Sequence, residues 1–208
     1  MTRDEARQQI QDMLGHNVNP TVATKIDAAF RFVQNELESE ATLPFFLQKV
    51  DDSLSTVIDE NIIERPSDFI RFYGEDPFSL IIEGENFPLK KGSAKYIRQR
   101  YTGETFPMGF SEIGEEFQIF PVPTAEYSLI LSYYAKEKVL LTNIENKWLK
   151  YLPGLMIGRA GFIVATGLRD TAAQQLFGAL AAAGTEKLHQ MSTAQEESGA
   201  RLVIGGED

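Results

Sequence analysis

The sequence lacks cysteine altogether and contains only two histidines among its 208 residues. Without cysteine, a disulfide framework, a thiolate nucleophile and a Cys-bound metal are all excluded. His16 and His189 lie far apart in the sequence, so they indicate neither a zinc site nor the base of a serine nucleophile. The absence of cysteine also suits a protein made in a reducing cytoplasm.

Basic charge is scarce as well. The 20 lysine and arginine residues are outnumbered by 30 aspartate and glutamate residues, which gives a formal net charge of −10. Because the phosphate backbone repels an acidic protein, tight binding of free nucleic acid is disfavoured. The same repulsion is compatible with an acidic surface along which DNA slides without adhering.

No apolar run is long enough to predict a membrane span. The longest, Leu152 to Leu168, contains Pro153 and carries Arg159 near its middle. A spanning helix needs about 20 apolar residues, and a central arginine costs roughly 2.5–3.5 kcal/mol. We therefore expect a buried helix here and no membrane partner. The charged start of the chain predicts a helix and no secretion signal.

Motifs for catalysis are missing too. Lys91–Ser93 has the residues of a phosphate-binding loop in the wrong order. Gly109–Gly114 has one residue too many for the Gly-x-Ser-x-Gly nucleophile elbow of serine hydrolases. Glu115 and Glu116 precede a strand, where neighbouring side chains point to opposite faces. Acids from separate strands could still meet, but we expect no catalytic residue, no cofactor and no metal, and predict that the protein is not an enzyme.

The two ends of the chain have helical patterns. Thr2 and Glu5 form a capping box that predicts a helix to about Leu14, and Asn19-Pro20 begins a second helix that ends near Glu40. Two further apolar patterns, over Trp148–Leu168 and Ala173–Met191, predict C-terminal helices. Pro153 can open a new helix within the first pattern, and Asp170 or Thr171 caps the helix of the second.

Short strands separated by glycine and proline occupy the middle of the chain. The segments that predict strands are Phe69–Tyr73, Phe78–Glu83, Met108–Ile113, Phe117–Phe120 and Tyr127–Tyr134, with a short helix over Ser93–Arg100. The order of helices, strands and helices predicts an α+β fold. In it, N- and C-terminal helices form a bundle, and an antiparallel β-sandwich or small barrel is inserted between them.

The predicted domain organisation has four parts. Residues 1–42 form the N-terminal helices of the bundle, residues 43–138 the inserted β domain, and residues 139–194 the C-terminal helices. Residues 195–208 form a flexible C-terminal docking tail.

Three sets of residues are candidates for contacts with other molecules. The first is a basic patch with tyrosines beside it, which suits phosphate, an acidic partner or a neighbouring copy. The second is a glycine stripe on a C-terminal helix, which suits packing within the chain or a helix contact between subunits. The third is a β-prone segment in the tail that can add a strand to the exposed edge of a partner protein. In order, the sets are Lys90, Lys91, Lys95, Arg98 and Arg100; Gly154, Gly158 and Gly161; and Arg201, Leu202, Val203 and Ile204.

Three segments carry a resemblance to a known family. Arg65-Pro66-Ser67-Asp68-Phe69 resembles an apolar-Pro-x-Asp-Phe element, with Arg65 in the apolar position. Ile119–Tyr134 resembles a Pro-x-Pro strand corner, and Leu140–Leu155 resembles an entry to C-terminal helices. Over roughly residues 20 to 190, the order and spacing are similar to those of the head-to-tail adaptor, or connector, proteins of tailed phages.

The resemblance implies a structural virion protein without catalytic residues, made in the host cytoplasm. It implies a ring of about twelve identical subunits beneath the portal, which links the portal to a tail or nozzle protein and continues the DNA channel. DNA would pass without specific binding. With a portal as partner, we predict that the tail segment Arg201–Ile204 docks on it. The alternative is another tail or baseplate component with a carbohydrate- or protein-binding β-sandwich.

Overall fold

The structure is a computed structural model that describes residues 1–15, 20–140 and 145–204, with side chains described up to residue 192. The chain divides into two compact units. The helical unit comprises Met1–Leu47 and the chain from Lys136 onward, and the β unit comprises Gln48–Ala135. The succession of helices, strands and helices confirms the predicted α+β class.

The helical unit begins at the predicted capping box. The Thr2 Oγ1 accepts from the Glu5 backbone N–H at 3.3 Å, and Glu5 Oε2 accepts from the Thr2 N–H at 2.9 Å. Its elements, numbered in chain order, are α1 (Arg3–Leu14), α2 (Pro20–Ser39), a 3-10 turn (Phe45–Leu47), α4 (Lys147–Tyr151), α5 (Pro153–Leu168) and α6 (Thr171–Ile204). Among the described helices, none is both long and apolar enough to cross a membrane. Buried side chains from these elements form one core: Ile10, Ile26, Phe30, Leu37, Trp148, Leu155, Met156 and Phe177.

Helices α5 and α6 approach each other backbone to backbone. A Cβ atom on Gly158 would collide with the backbone N of Ala181, and one on Gly161 would collide with the Phe177 ring. From the other helix, a Cβ on Gly184 would lie 2.6 Å from Leu155 Cα. The three glycines therefore set the distance between the two helices, because any larger residue would push them apart.

The β unit consists of two sheets in a sandwich. The first sheet has the order β1-β9-β4-β5, with β3 also paired to β9, and the second has the order β2-β8-β7-β6. All pairs are antiparallel except the parallel pair of β6 with β7. The strands are β1 (Gln48–Ser55), β2 (Ile62–Glu64), β3 (Phe69–Phe72), β4 (Phe78–Ile82), β5 (Glu85–Pro88), β6 (Lys90–Lys91), β7 (Gly109–Ile113), β8 (Glu116–Phe120) and β9 (Ser128–Ala135), with α3 (Ala94–Arg100) against β7 and β8.

Aromatic rings fill the space between the sheets. Phe117 from the second sheet lies 5.5 Å from both Phe69 and Phe78 of the first sheet, measured between ring centroids. Phe110 lies 5.2 Å from Phe78. Edge-on ring pairs of this kind contribute roughly 0.5–1.5 kcal/mol each beyond the area that they bury. Of the two predicted forms, the β domain is therefore the sandwich, and it does not close into a barrel.

The proline corner carries the chain from one sheet to the other. Strand β8 belongs to the second sheet, Pro121 and Pro123 follow it, and β9 is the central strand of the first sheet. One face of β9 is buried through Leu129, Leu131 and Tyr133. Its other face is half-buried. Strand β9 pairs with β1, β3 and β4 and therefore organises the first sheet.

Strand β1 was not predicted, because its sequence is mostly polar. Its Lys49 and Asp51 pair with β9, and Asp52 is exposed. It is an edge strand whose conformation comes from main-chain pairing with β9 rather than from apolar alternation, and charged side chains of this kind protect an open edge from further pairing. The short strands β2, β5 and β6 were also outside the predicted set.

The close α5–α6 contact predicts opposite effects for two alanine substitutions. Gly158→Ala should lower the free energy of unfolding by about 1–3 kcal/mol, because its Cβ meets the backbone of Ala181. Gly178→Ala, on α6, should raise it by up to about 1 kcal/mol, since a Cβ there would lie 3.8 Å from Phe162 Cδ2, an ordinary contact. Denaturant unfolding of both variants measures the difference, and equal effects would contradict the account.

Candidate interaction surfaces

The described residues contain no group of three or more metal-binding side chains. In the same ranges, the hydrogen-bonded carboxylates of Asp68 in the β unit and Glu38 in the helical unit join elements of the fold. The surfaces below are candidate sites for contact with other macromolecules.

The predicted basic patch separates into two parts. Lys90 Nζ lies 3.1 Å from Asp76 Oδ1, and Lys91 Nζ lies 2.5 Å from Glu112 Oε2, so both ammonium groups are neutralised within the β unit. Lys95, Arg98 and Arg100 lie on α3, and no carboxylate of the described residues forms an ion pair with them. Only the second part remains available as a source of positive charge for a partner.

Aromatic rings support the cations of α3. The Tyr96 side chain is 53% exposed, and its hydroxyl oxygen accepts from Arg100 Nη1 at 3.2 Å. The Arg100 guanidinium lies 6.0 Å from the Tyr96 ring centroid, and that of Arg98 lies 5.2 Å from the Phe120 ring centroid. Ser93 caps the helix. We call Lys95, Tyr96, Arg98 and Arg100 the α3 patch.

Two of the three stripe glycines pack within the chain. Gly158 and Gly161 are buried against α6, so these two glycines serve packing within the chain, the first of the two uses considered for the stripe. Gly154 is half-buried, and a Cβ there would lie 3.5 Å from Leu180 Cδ1. A contact of this helix with another subunit stays a prediction, and it would have to use the surface of α5 that α6 leaves open.

The tail segment forms the end of a helix. The backbone of Arg201, Leu202, Val203 and Ile204 is the last turn of α6, while its side chains and residues 205–208 lie outside the described part of the structure. The predicted docking role therefore stays a prediction.

A groove of about 540 Å³ lies on the helical unit between α2, α5 and α6. Phe32 is 61% exposed and Phe162 is 44% exposed, although both are large apolar side chains. The sequence patterns did not predict this surface. The one local sign of it is that Phe32, a large aromatic residue, lies outside the buried apolar face of α2, which is formed by Val22, Ile26, Phe30, Val33 and Leu37. The groove, called the α2–α5–α6 groove below, is lined by Phe32, Glu36, Glu40, Arg159, Phe162, Ile163, Gly178 and Ala181.

The Pro-x-Asp-Phe element is built around Asp68. Tyr133, the buried tyrosine of β9, donates its hydroxyl to Asp68 Oδ1 at 2.8 Å, and Lys49 of β1 donates to Asp68 Oδ2 at 2.8 Å. Burial opposes the charge, but the hydrogen bonds from Lys49 and Tyr133 outweigh it and lower the pKa of Asp68. Burial also raises the pKa of Tyr133 to about 12. Asp68 thereby joins the turn before β3 to both β1 and β9.

Arg65 replaces the apolar residue of this element without leaving a gap. Its guanidinium lies 5.5 Å from the Phe69 ring centroid, and its Nη1 donates to the Gly114 carbonyl at 3.3 Å. The aliphatic stem and the flat guanidinium therefore cover the ring that an apolar residue would cover.

Glu38 fixes the chain where it returns to the helical unit. Its Oε1 accepts from Gln34 Nε2 at 2.9 Å, from the Glu137 backbone N–H at 3.1 Å and from Trp148 Nε1 at 3.2 Å. Asn146 caps α4 and also donates to the Lys138 carbonyl at 2.9 Å. Burial raises the pKa of Glu38, although these hydrogen bonds oppose the shift.

The chain combines a helical unit with a β-sandwich unit, and its exposed aromatic and cationic side chains offer surfaces for contact with other macromolecules. The chain matches the family described as SU10 adaptor protein over residues 1–203, and it therefore belongs to that family. The family is one of structural phage adaptors, so the resemblance found in the sequence is confirmed, and membership implies a virion location. A comparison with curated proteins found no match.

Because of its hydrogen bonds, we expect Asp68 to contribute more to the free energy of unfolding than an exposed aspartate does. Asp68→Ala should destabilise the protein by about 1–3 kcal/mol, because it leaves the buried Tyr133 hydroxyl without its acceptor. Asp76→Ala, the matched control, breaks only the exposed pair with Lys90 and should cost about 0–1 kcal/mol. Thermal unfolding compares the two. Adding Tyr133→Phe should reduce the cost of Asp68→Ala, and full additivity would contradict the coupling.

Because the pKa of Glu38 is raised, we expect the free energy of unfolding to fall as the pH rises. Its pKa is raised in the folded state above the ordinary value of 4.5, so the folded protein binds more protons than the unfolded chain at pH values just above 4.5. The wild type should therefore lose stability relative to Glu38→Gln as the pH rises from about 4.5 towards neutral.

Denaturant unfolding of both proteins at several pH values tests this. Glu186→Gln is the control, because it removes the same charge from an exposed position of α6. A stability difference that does not change with pH would show that burial of Glu38 has no effect on its protonation.

Proposed function

We propose that this chain forms a head-to-tail adaptor ring that links the portal to the tail and continues the DNA channel. The observation that carries the proposal is membership of the adaptor family over residues 1–203. A ring of about twelve identical subunits is the closed symmetric form in which such a protein meets a ring-shaped portal.

The surfaces of the chain support a role in assembly. The polar networks around Asp68 and Glu38 join structural elements, whereas the α2–α5–α6 groove and the α3 patch expose aromatic side chains. Aromatic and arginine side chains are enriched where proteins bind each other. Association with portal and tail proteins is the use of these surfaces that adaptor membership favours.

The charge of the chain supports passage of DNA without adhesion. A net charge of −10 repels phosphate, and a channel wall with this bias would not retain DNA at physiological salt. The α3 patch contains three cations, whereas the whole chain contains 30 carboxylates, so we do not propose specific DNA binding.

The end of the chain is the part that we assign to the portal. Arg201–Ile204 combines one cation with three aliphatic side chains at the end of α6. Strand addition to an exposed edge of the portal requires this last turn to unwind on binding, whereas docking as a helix requires no change.

Mixing the chain with portal particles and imaging the product tests the proposal. A symmetric annulus should appear at the portal with the full chain. A chain cut after Glu197 should keep its thermal unfolding and lose only the helical circular dichroism of the end of α6, but it should bind the portal at least about tenfold more weakly, because it lacks Arg201–Ile204.

The matched control is a chain cut after Ile204, which keeps the docking segment and should bind as the full chain does. Absence of an annulus with the full chain would overturn the ring proposal. Equal binding by the chain cut after Glu197 would overturn the docking role of the tail alone.

A further inference from the structure

The α2–α5–α6 groove exposes more apolar surface than the fold of one chain explains. Phe32 faces solvent from α2 although this helix buries a complete apolar face elsewhere, and Phe162 and Ile163 of α5 are exposed beside it. A concave surface with several exposed aromatic and aliphatic side chains marks a contact site on a soluble protein.

Gly178 adds a second, independent observation. A glycine within a helix lowers its stability by roughly 1 kcal/mol relative to alanine. A Cβ on Gly158 or Gly184 would collide with the backbone of the other helix, and one on Gly161 would collide with the Phe177 ring, but a Cβ on Gly178 would meet only the Phe162 ring, at 3.8 Å. Packing inside the chain therefore does not explain why this position is glycine and not alanine. Entry of a side chain from another molecule into the groove would explain it, because glycine leaves the space above α6 open.

The rim of the groove favours a cationic occupant. Arg159 Nη1 lies 2.7 Å from Glu40 Oε1 but 3.9 Å from Glu36 Oε2. Two carboxylates therefore share one guanidinium, and Glu36 is the more exposed and less tightly bound of the two. An occupant that combines an aromatic ring with a cation would match both the apolar walls and this residual negative charge.

The α3 patch has this combination on the same chain. Tyr96 is the most exposed tyrosine among the described residues, and Arg100 lies one turn further along α3 with its guanidinium against the Tyr96 ring. Lys95 is also exposed and forms no ion pair with a described carboxylate. Tyrosine and arginine are the residues most often found at the energetic centre of protein interfaces.

We propose that the α2–α5–α6 groove of one subunit receives the α3 patch of a second copy of this chain. The Tyr96 ring enters between Phe32 and Phe162, and the cations of the patch face Glu36 and Glu40. The inference rests on the proposed ring and names the two surfaces that join neighbouring subunits. A contact between two different surfaces of identical chains propagates around a ring, as the proposed function requires.

Pairing of two identical grooves is the weaker alternative. It would bring Glu36 and Glu40 of both copies together, and like charges in an interface oppose association. It would also close as a dimer about a two-fold axis and leave no surface for a third subunit. Charge complementarity therefore favours the groove with the α3 patch.

Crosslinking between two single-cysteine chains tests the pairing directly, because the natural sequence contains no cysteine. One chain carries Asn35→Cys, one turn from Phe32 on α2, and the other carries Gln99→Cys, one turn from Tyr96 on α3; both positions are exposed. The chains are mixed, assembled alone or on portal particles, and treated with a short bismaleimide. We expect a crosslinked dimer that contains one chain of each kind.

Substitutions give a second measurement. Tyr96→Ala or Phe32→Ala should weaken subunit association about tenfold or more. Glu36→Lys or Arg100→Glu should also weaken it, and the two changes together should restore it. Tyr73→Ala is the matched control, because Tyr73 is an exposed tyrosine of the β unit that packs on Tyr134, outside the α3 patch.

Each outcome decides between the proposals. A symmetric annulus without the mixed crosslink, or with Tyr96→Ala as harmless as Tyr73→Ala, would overturn this pairing and leave the adaptor ring intact. A crosslink between two Asn35→Cys chains would favour groove-to-groove contact and overturn the pairing. No self-association of the wild type, alone or with portal, would overturn both the ring and the pairing.

Discussion

The close contact between α5 and α6 is the constraint on which the helical unit depends. Gly158, Gly161 and Gly184 let the two backbones meet, and the Phe177 ring fills the space beside Gly161. Beside this contact, Phe162 and Ile163 of α5 are exposed, and with Phe32 of α2 they line the groove. The exposed surface therefore lies next to the tightly packed pair of helices.

Two hydrogen-bonded carboxylates, one buried and one half-buried, join segments of the chain in the two units. Glu38 receives three hydrogen bonds from α2, from the returning chain and from α4, and Asp68 receives hydrogen bonds from β1 and β9. Each joins segments that are far apart in the sequence. Their pKa values shift in opposite directions, because the hydrogen bonds from Lys49 and Tyr133 outweigh burial at Asp68, while burial dominates at Glu38.

The electrostatic character of the chain is uneven rather than uniformly acidic. Lys90 and Lys91 are neutralised by nearby carboxylates, whereas the cations of α3 rest on aromatic rings and stay available. An acidic protein with one basic, aromatic surface can repel DNA and still attract an acidic site on an identical neighbour. Both properties suit a structural adaptor of a virion.

The sequence by itself determined the features that depend on residues close together in the chain. The capping box at Thr2, the helix that begins at Pro153, the strand over Ser128–Ala135 and the α+β order follow from local hydrogen bonding and from periodicity. Only the tertiary structure decided which partners these segments meet. It made β1 a strand despite its polar sequence, neutralised Lys90 and Lys91, buried Gly158 and Gly161 against α6, and left Phe32 exposed. These outcomes depend on contacts between residues distant in the chain, and the period of a single helix or strand carries no information about them.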